Sequence, residues 1–213
     1  MSIRTSTAAL AALATVALAG SATAGLTTAT YAGANGLENM GAFTASVTYD
    51  YTSGTTASLT ITLTNTTSQS YGGYITALAL SSQAGSVVTS MVSSSSNSFK
   101  ALVGPVSTSP FGDFEAGAAT GGSWNGGGTP QNGIGIGQSA TFTFIMSGSV
   151  VDLTMLSASD VLRTQVGLGS GLAVRFRGMD NGGSDKVLGF FIPGPGGLVA
   201  VAMGMGVARR RRR

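Results

Sequence analysis

The chain has 213 residues, of which 9% are charged and 43% are hydrophobic, and 33 of them are glycine. This length suits one β-sandwich-sized domain, and low charge combined with abundant apolar residues excludes a disordered chain. The sequence contains no cysteine and no histidine. It therefore excludes disulfide bridges, cysteine nucleophiles, histidine-dependent serine catalysis and zinc bound through histidine.

The net charge of +3 comes from the ends of the chain. Arg4 and Arg209 to Arg213 are six of the eleven basic residues, and the segment between them keeps five cations against eight carboxylates, a net charge of −3. A weakly acidic domain lacks the electrostatic footprint of a nucleic-acid-binding protein, so we expect no such partner. The G-x-G-x-x-A pattern at residues 135–140 precedes a predicted strand rather than a helix, so we expect no nucleotide or other cofactor.

Residues 1–24 have the order of a secretory signal peptide. One basic residue, Arg4, precedes a weakly apolar run over residues 8–19, and Ala22 and Ala24 then provide the A-x-A spacing that signal peptidase recognises. Cleavage is expected after Ala24. The alternative, a core helix of an intracellular protein, is disfavoured because the apolar run is short and lies at the N-terminus.

Residues 25–191 carry the pattern of one all-β domain. Apolar and polar residues alternate over 43–51, 59–64 and 172–177, as in half-buried strands. A strand at 73–80 with little polar alternation is expected at a sheet centre, and further strands are predicted at 87–92, 99–103, 111–115, 141–147 and 186–191. A short helix is predicted within 152–163 and a long glycine-rich loop over 117–133. Strands at this spacing predict a single antiparallel β-sandwich or jelly roll, with helices otherwise at the two ends of the chain.

Residues 192–213 form a separate tail. A Pro193-Gly194-Pro195 motif precedes an apolar run that ends in Arg209, Arg210, Arg211, Arg212 and Arg213. A helix over residues 195–208 would be about 21 Å long, at ~1.5 Å per residue, against a hydrocarbon core of about 30 Å. The arginines would hold this end on the cytoplasmic side of the membrane, which places the β domain outside.

This order of proline motif, short hydrophobic helix and arginine cluster, on a chain with a signal peptide, resembles the PEP-CTERM sorting signal. Gly194 stands where the usual Pro-Glu-Pro motif has glutamate. The resemblance implies that an exosortase-like membrane peptidase of a bacterium recognises the tail and cuts near the motif. The inner membrane would then hold the protein only transiently, before its transfer to the cell surface or the extracellular matrix. Similarities to ectodomains that occur with this tail cover most of residues 40–190 and imply location and fold rather than chemistry. A permanent stop-transfer anchor is the alternative for the tail.

One candidate site is the turn bracketed by Asp180 and Asp185. Its oxygen-rich side chains are of the kind that bind calcium in secreted proteins, although the usual Asp-x-Asp-x-Asp spacing is absent. Asn181-Gly182 within the same turn is a strong hairpin signal, and we favour the plain hairpin.

A carboxylate pair and a tryptophan are residue types that carbohydrate-active or carbohydrate-binding proteins use. Asp113 and Glu115 share one face of a predicted strand, about 6–7 Å apart, a separation that could suit glycoside hydrolysis. Catalytic pairs usually come from different strands, so a structural role is favoured. Trp124, in the glycine-rich loop, could stack on a sugar or pack against the sheet.

These observations predict a non-enzymatic structural protein of the cell surface or extracellular matrix, processed by signal peptidase and an exosortase-like peptidase. The alternative is a carbohydrate-binding or adhesive β-sandwich module with extracellular polysaccharide as its partner, assisted by calcium at Asp180 and Asp185. A hydrolase that uses carboxylates such as Asp113 and Glu115 is the third hypothesis.

Overall fold

The structure is a computed structural model that describes residues 26–51, 53–83, 85–125, 128–162 and 170–194. Within these residues the chain forms eleven strands, one short α-helix and one 3-10 turn at Pro130–Asn132. The strands are β1 Thr27–Ala34, β2 Ala42–Asp50, β3 Thr56–Asn65, β4 Gly72–Leu80, β5 Ser86–Ser94, β6 Lys100–Ser107, β7 Asp113–Ala119, β8 Ser139–Gly148, β9 Leu172–Met179, β10 Ser184–Leu188 and β11 Phe190–Ile192. The all-β class predicted from the sequence is confirmed.

The strands form two antiparallel sheets that share one hydrophobic core. The six-stranded sheet has the order β11-β1-β2-β3-β8-β5, and the five-stranded sheet has the order β10-β9-β4-β7-β6. Alternate residues of both sheets are buried in one cluster, with Phe43, Ile61 and Phe142 from the first sheet and Leu78 and Phe176 from the second. β4 lies at the centre of its sheet, as its continuous apolar sequence predicts.

The outward face of the six-stranded sheet is covered by hydroxyl side chains. The alternation in β2, β3 and β8 buries the apolar residues and leaves threonine and serine outside. Antiparallel pairing places these hydroxyls side by side across the strands, at 3.4 Å between Thr60 and Thr143 and 2.9 Å between Thr62 and Thr141. Threonine suits this position because its branched side chain favours extended backbone while its hydroxyl faces solvent.

A short helix, α1 Val150–Met155, and the turns after it close one end of the core. The helix begins at Ser149, whose hydroxyl accepts a hydrogen bond of 3.1 Å from the Asp152 amide. The buried tyrosines of the core hold this segment, because the Tyr49 hydroxyl donates to the Leu153 carbonyl at 2.6 Å and the Tyr31 hydroxyl to the Ala158 carbonyl at 2.9 Å. The helix is shorter than the predicted span of 152–163, of which residue 163 lies outside the described residues.

Three sequence predictions differ from the structure. No strand was predicted at β1, which pairs with β2 along its whole length. The predicted loop at 117–133 was wrong at its start, because small buried residues continue β7 to Ala119. The predicted last strand is divided at Gly189, where an added Cβ would lie 2.7 Å from Phe43 Cζ. This division lets β10 and β11 carry the chain from one sheet to the edge of the other.

Candidate functional site

The Asp180–Asp185 segment is a β-hairpin turn between β9 and β10. Gly182 has a φ of +77°, and the Asn181 side chain accepts a hydrogen bond of 2.8 Å from the Gly183 amide. Ser184 then pairs with Arg177 in the sheet. These features agree with the hairpin that was favoured from the sequence.

The two carboxylates of this turn lie in different environments. Asp180 is exposed, whereas Asp185 is 1% exposed and points inward from β10. The Asp185 carboxylate accepts backbone hydrogen bonds of 2.7–2.9 Å from Glu38, Met40, Gly41 and Lys186. Each carboxylate oxygen accepts two hydrogen bonds, so its lone pairs are occupied. Three of the four donors lie in the segment that leads into β2, and the fourth is Lys186 of β10 itself. Asp185 therefore has a structural role as an acceptor, which leaves Asp180 as the accessible carboxylate of the predicted calcium pair. Within the described residues, no three acidic side chains are grouped so that they could hold a metal ion.

The second carboxylate pair, Asp113 and Glu115, lies on β7, and its two members again differ in their exposure to solvent. Asp113 is exposed, while Glu115 is half-buried and reaches the start of β5 in the other sheet. Glu115 Oε2 accepts hydrogen bonds from the Val88 amide at 2.7 Å, the Ser82 amide at 3.0 Å and the Ser82 hydroxyl at 3.1 Å. Glu115 thus joins β7, an inner strand of one sheet, to β5, an edge strand of the other, an arrangement that accounts for this residue without catalysis.

Trp124 packs against the outward face of the five-stranded sheet. It is 2% exposed and belongs to a second apolar cluster with Ala77, Ala79, Leu102 and Phe114. Small residues at the centre of β4 leave room for the indole, so this face is covered by the loop that follows β7. The ring edge borders a shallow groove beside β6, but its burial leaves no open face for a sugar to stack on.

Three cations meet on the same outward face. Arg175 and Arg177 alternate with buried residues of β9, as the sequence predicted. The β9–β10 register adds Lys186 directly opposite Arg175, a neighbour that the sequence analysis did not identify. Counting pairs outward from a two-residue Asn181-Gly182 turn would instead place Lys186 opposite Arg177, because the observed pairs are centred one residue earlier in the turn. This basic cluster, Arg175, Arg177 and Lys186, lies beside a cavity of about 380 Å³.

The ends of the β domain lie next to each other. β1 and β11 are antiparallel neighbours at one edge of the six-stranded sheet, with Thr30 opposite Ile192 and Ala32 opposite Phe190. Pro193 and Gly194 follow β11 directly and are exposed. The other residues of the predicted processing sites lie outside the described residues: Ala22, Ala24, Pro195, Arg209, Arg210, Arg211, Arg212 and Arg213.

In the part of the chain that the structure describes, no helix has the length and apolar character needed to cross a membrane. Comparisons of the chain with protein-family models, curated proteins and solved structures find no match.

Proposed function

We propose that this protein is a structural component of the bacterial cell surface or extracellular matrix, exported with an N-terminal signal and processed by an exosortase-like peptidase at its C-terminal tail. The role is non-enzymatic. Its support from the sequence is the pair of processing tails around one β domain. Its support from the fold is a β domain with one sheet face rich in threonine and serine hydroxyls and with carboxylates, at Asp185 and Glu115, engaged by backbone donors.

The observation that carries the proposal is the position of the strands relative to the two expected cuts. β1 begins at Thr27, three residues after Ala24, and β11 ends at Ile192, one residue before Pro193. Cleavage at both ends would therefore remove the tails and leave every paired strand of the domain in place. Pro193 lacks a backbone N–H and suits the point at which pairing stops.

The pairing of β1 with β11 adds a geometric argument. Because the two strands are antiparallel, the start of β1 and the end of β11 emerge at the same corner of the domain. A precursor attached through either tail would approach the membrane by this one corner. The hydroxyl face and the outward face of the other sheet would remain open to the exterior.

The test is the intact mass of the protein recovered from its host, measured separately for membranes and medium. A species that begins at Gly25 and ends between Ile192 and Gly197 is expected outside the membrane fraction. Replacing Pro193 and Pro195 together by alanine is expected to retain the chain in the membrane with Arg213 present. Pro130→Ala, in a loop of the β domain, is the matched control and is expected to be processed normally.

Two results would refute the proposal in different ways. A wild-type chain that keeps Arg213 in the membrane would indicate a permanently anchored envelope protein. A chain found inside the cell with residues 1–24 attached would show that the N-terminal segment is not an export signal.

A further inference from the structure

The basic cluster concentrates charge in a domain that has little of it. Its members are three of the five cations in residues 25–191. Arg175 and Lys186 lie directly opposite each other on one face of neighbouring strands. Like charges in this arrangement destabilise a sheet. The cluster therefore has an energetic cost that a bound anion would offset.

The partners in the structure leave this charge uncompensated at two of the three positions. Arg175 Nη1 donates to the Asn125 side-chain oxygen at 2.9 Å, and the Lys186 ammonium donates to the Ser109 carbonyl, both of which are neutral acceptors. Arg175 Nε is buried and has no hydrogen-bond partner. Burial and the neighbouring Arg177 lower the pKa of Arg175, and burial and Arg175 lower the pKa of Lys186. Both pKa shifts have the same cause, which is that the two cations lie next to each other and are partly desolvated.

The cavity beside the cluster has the size and chemistry of a ligand site. Its volume of about 380 Å³ lies within the ~300–1,000 Å³ of typical small-molecule sites. Arg175 and Arg177 line it together with the Asn125 amide and the Ser184 hydroxyl. The two guanidinium groups match the planar geometry of a carboxylate, while the neutral groups can bind hydroxyls.

We propose that this cleft binds the uronate carboxylates of an acidic polysaccharide, with Arg175 and Arg177 as the cationic contacts. A site with both guanidinium groups and neutral hydrogen-bonding groups suits a ligand that carries carboxylates and hydroxyls on one chain.

This proposal depends on the proposed function only in that export would bring the domain to such a polysaccharide. Binding is measured on purified protein and processing is measured in the host, so failure of one leaves the other standing.

The test uses the full-length chain with Arg209 to Arg213 replaced by glutamine, which removes the competing cations of the tail. A galacturonate hexamer is titrated into this protein by calorimetry, with a neutral glucose hexamer as the ligand control. Arg175→Gln and Arg177→Gln are each expected to weaken binding about tenfold or more, as loss of a charge-assisted hydrogen bond does. Lys100→Gln, which removes a cation on the far edge strand of the same sheet, is expected to change binding less than about twofold.

A conservative variant keeps the test interpretable if Arg177→Gln fails to fold. Arg177→Lys preserves the charge but removes the planar fork, so intermediate weakening is expected. The proposal is overturned if the uronate hexamer does not bind saturably, or if Lys100→Gln weakens binding as much as Arg177→Gln. Equal affinity for inorganic phosphate, or preferential binding to phosphatidylglycerol vesicles, would also overturn it, because either result assigns the cleft to a different anion.

Discussion

Replacement of Asp185 is the sharpest test of how this fold is held together. Its carboxylate joins β10 to the segment that leads into β2 through hydrogen bonds from Glu38, Met40, Gly41 and Lys186. The space around it is tight, because a Cβ added at Gly36 would lie 2.5 Å from Asp185 Oδ1. Asp185→Ala removes all four acceptor contacts together.

The magnitude follows from the burial of the four donors. The hydrogen bond from the Gly41 amide to Asp185 is buried, and losing it without a replacement acceptor costs about 1–3 kcal/mol. The other three bonds are partly buried, so water can replace the carboxylate and the net loss is about 0.5–1.5 kcal/mol each. We therefore expect Asp185→Ala to lower the free energy of unfolding by about 2.5–7.5 kcal/mol, a large part of the roughly 5–15 kcal/mol of a typical domain. Asp185→Asn keeps one oxygen, but its NH2 group would face two backbone N–H donors, so it should cost at least half as much.

Equilibrium unfolding in urea, followed by circular dichroism, measures these differences. Asp180→Asn is the matched control, since it alters an exposed carboxylate of the same hairpin and should change stability by less than about 0.5 kcal/mol. If Asp185→Ala unfolds at the same urea concentration as Asp180→Asn, the four hydrogen bonds do not stabilise the domain as we reason. A calcium-dependent rise in stability that is lost in Asp185→Ala would instead identify its oxygens as metal ligands.

Three further predictions concern the core and the sheet edges. Burial and the neighbouring Tyr51 raise the pKa of Tyr49 to about 12. Tyr49 therefore loses its proton in the unfolded state first, and the free energy of unfolding should fall as pH rises from about 10 to 12. The urea midpoint of Tyr49→Phe should depend less on pH in this range. Glu115→Gln should lower the free energy of unfolding by about 1–2 kcal/mol by weakening its hydrogen bonds to β5, and equal stability of Glu115→Gln and Asp113→Asn would contradict this. Ile61→Ala should cost about 2–5 kcal/mol because Ile61 is fully buried, whereas Thr62→Ala on the hydroxyl face should cost about 1 kcal/mol or less; thermal unfolding that does not separate the two would refute the assigned faces.

Strands with a regular period were predictable from the sequence. In β2, β3 and β8 one face contacts the core and the other faces solvent. The alternation of apolar residues with threonine and serine therefore predicts which residues are buried. β1 was not predicted because its buried face includes Ala29 and Gly33. These residues are small, so they differ little in hydrophobicity from the exposed threonines of the strand. The extension of β7 into the predicted loop escaped for the same reason, since its buried residues are alanine and glycine.

The all-β class, the central position of β4, the hairpin at Asn181-Gly182 and the placement of Arg175 and Arg177 on one face could all be predicted from the amino-acid sequence. These are consequences of local period and turn chemistry, which a single segment contains. Three features became visible only in the folded molecule: backbone donors engage Asp185 and Glu115, Lys186 faces Arg175, and β1 and β11 bring the two ends together. Each of these depends on which strands become neighbours and in what register, and that choice is made by the packing of the whole core rather than by any one segment.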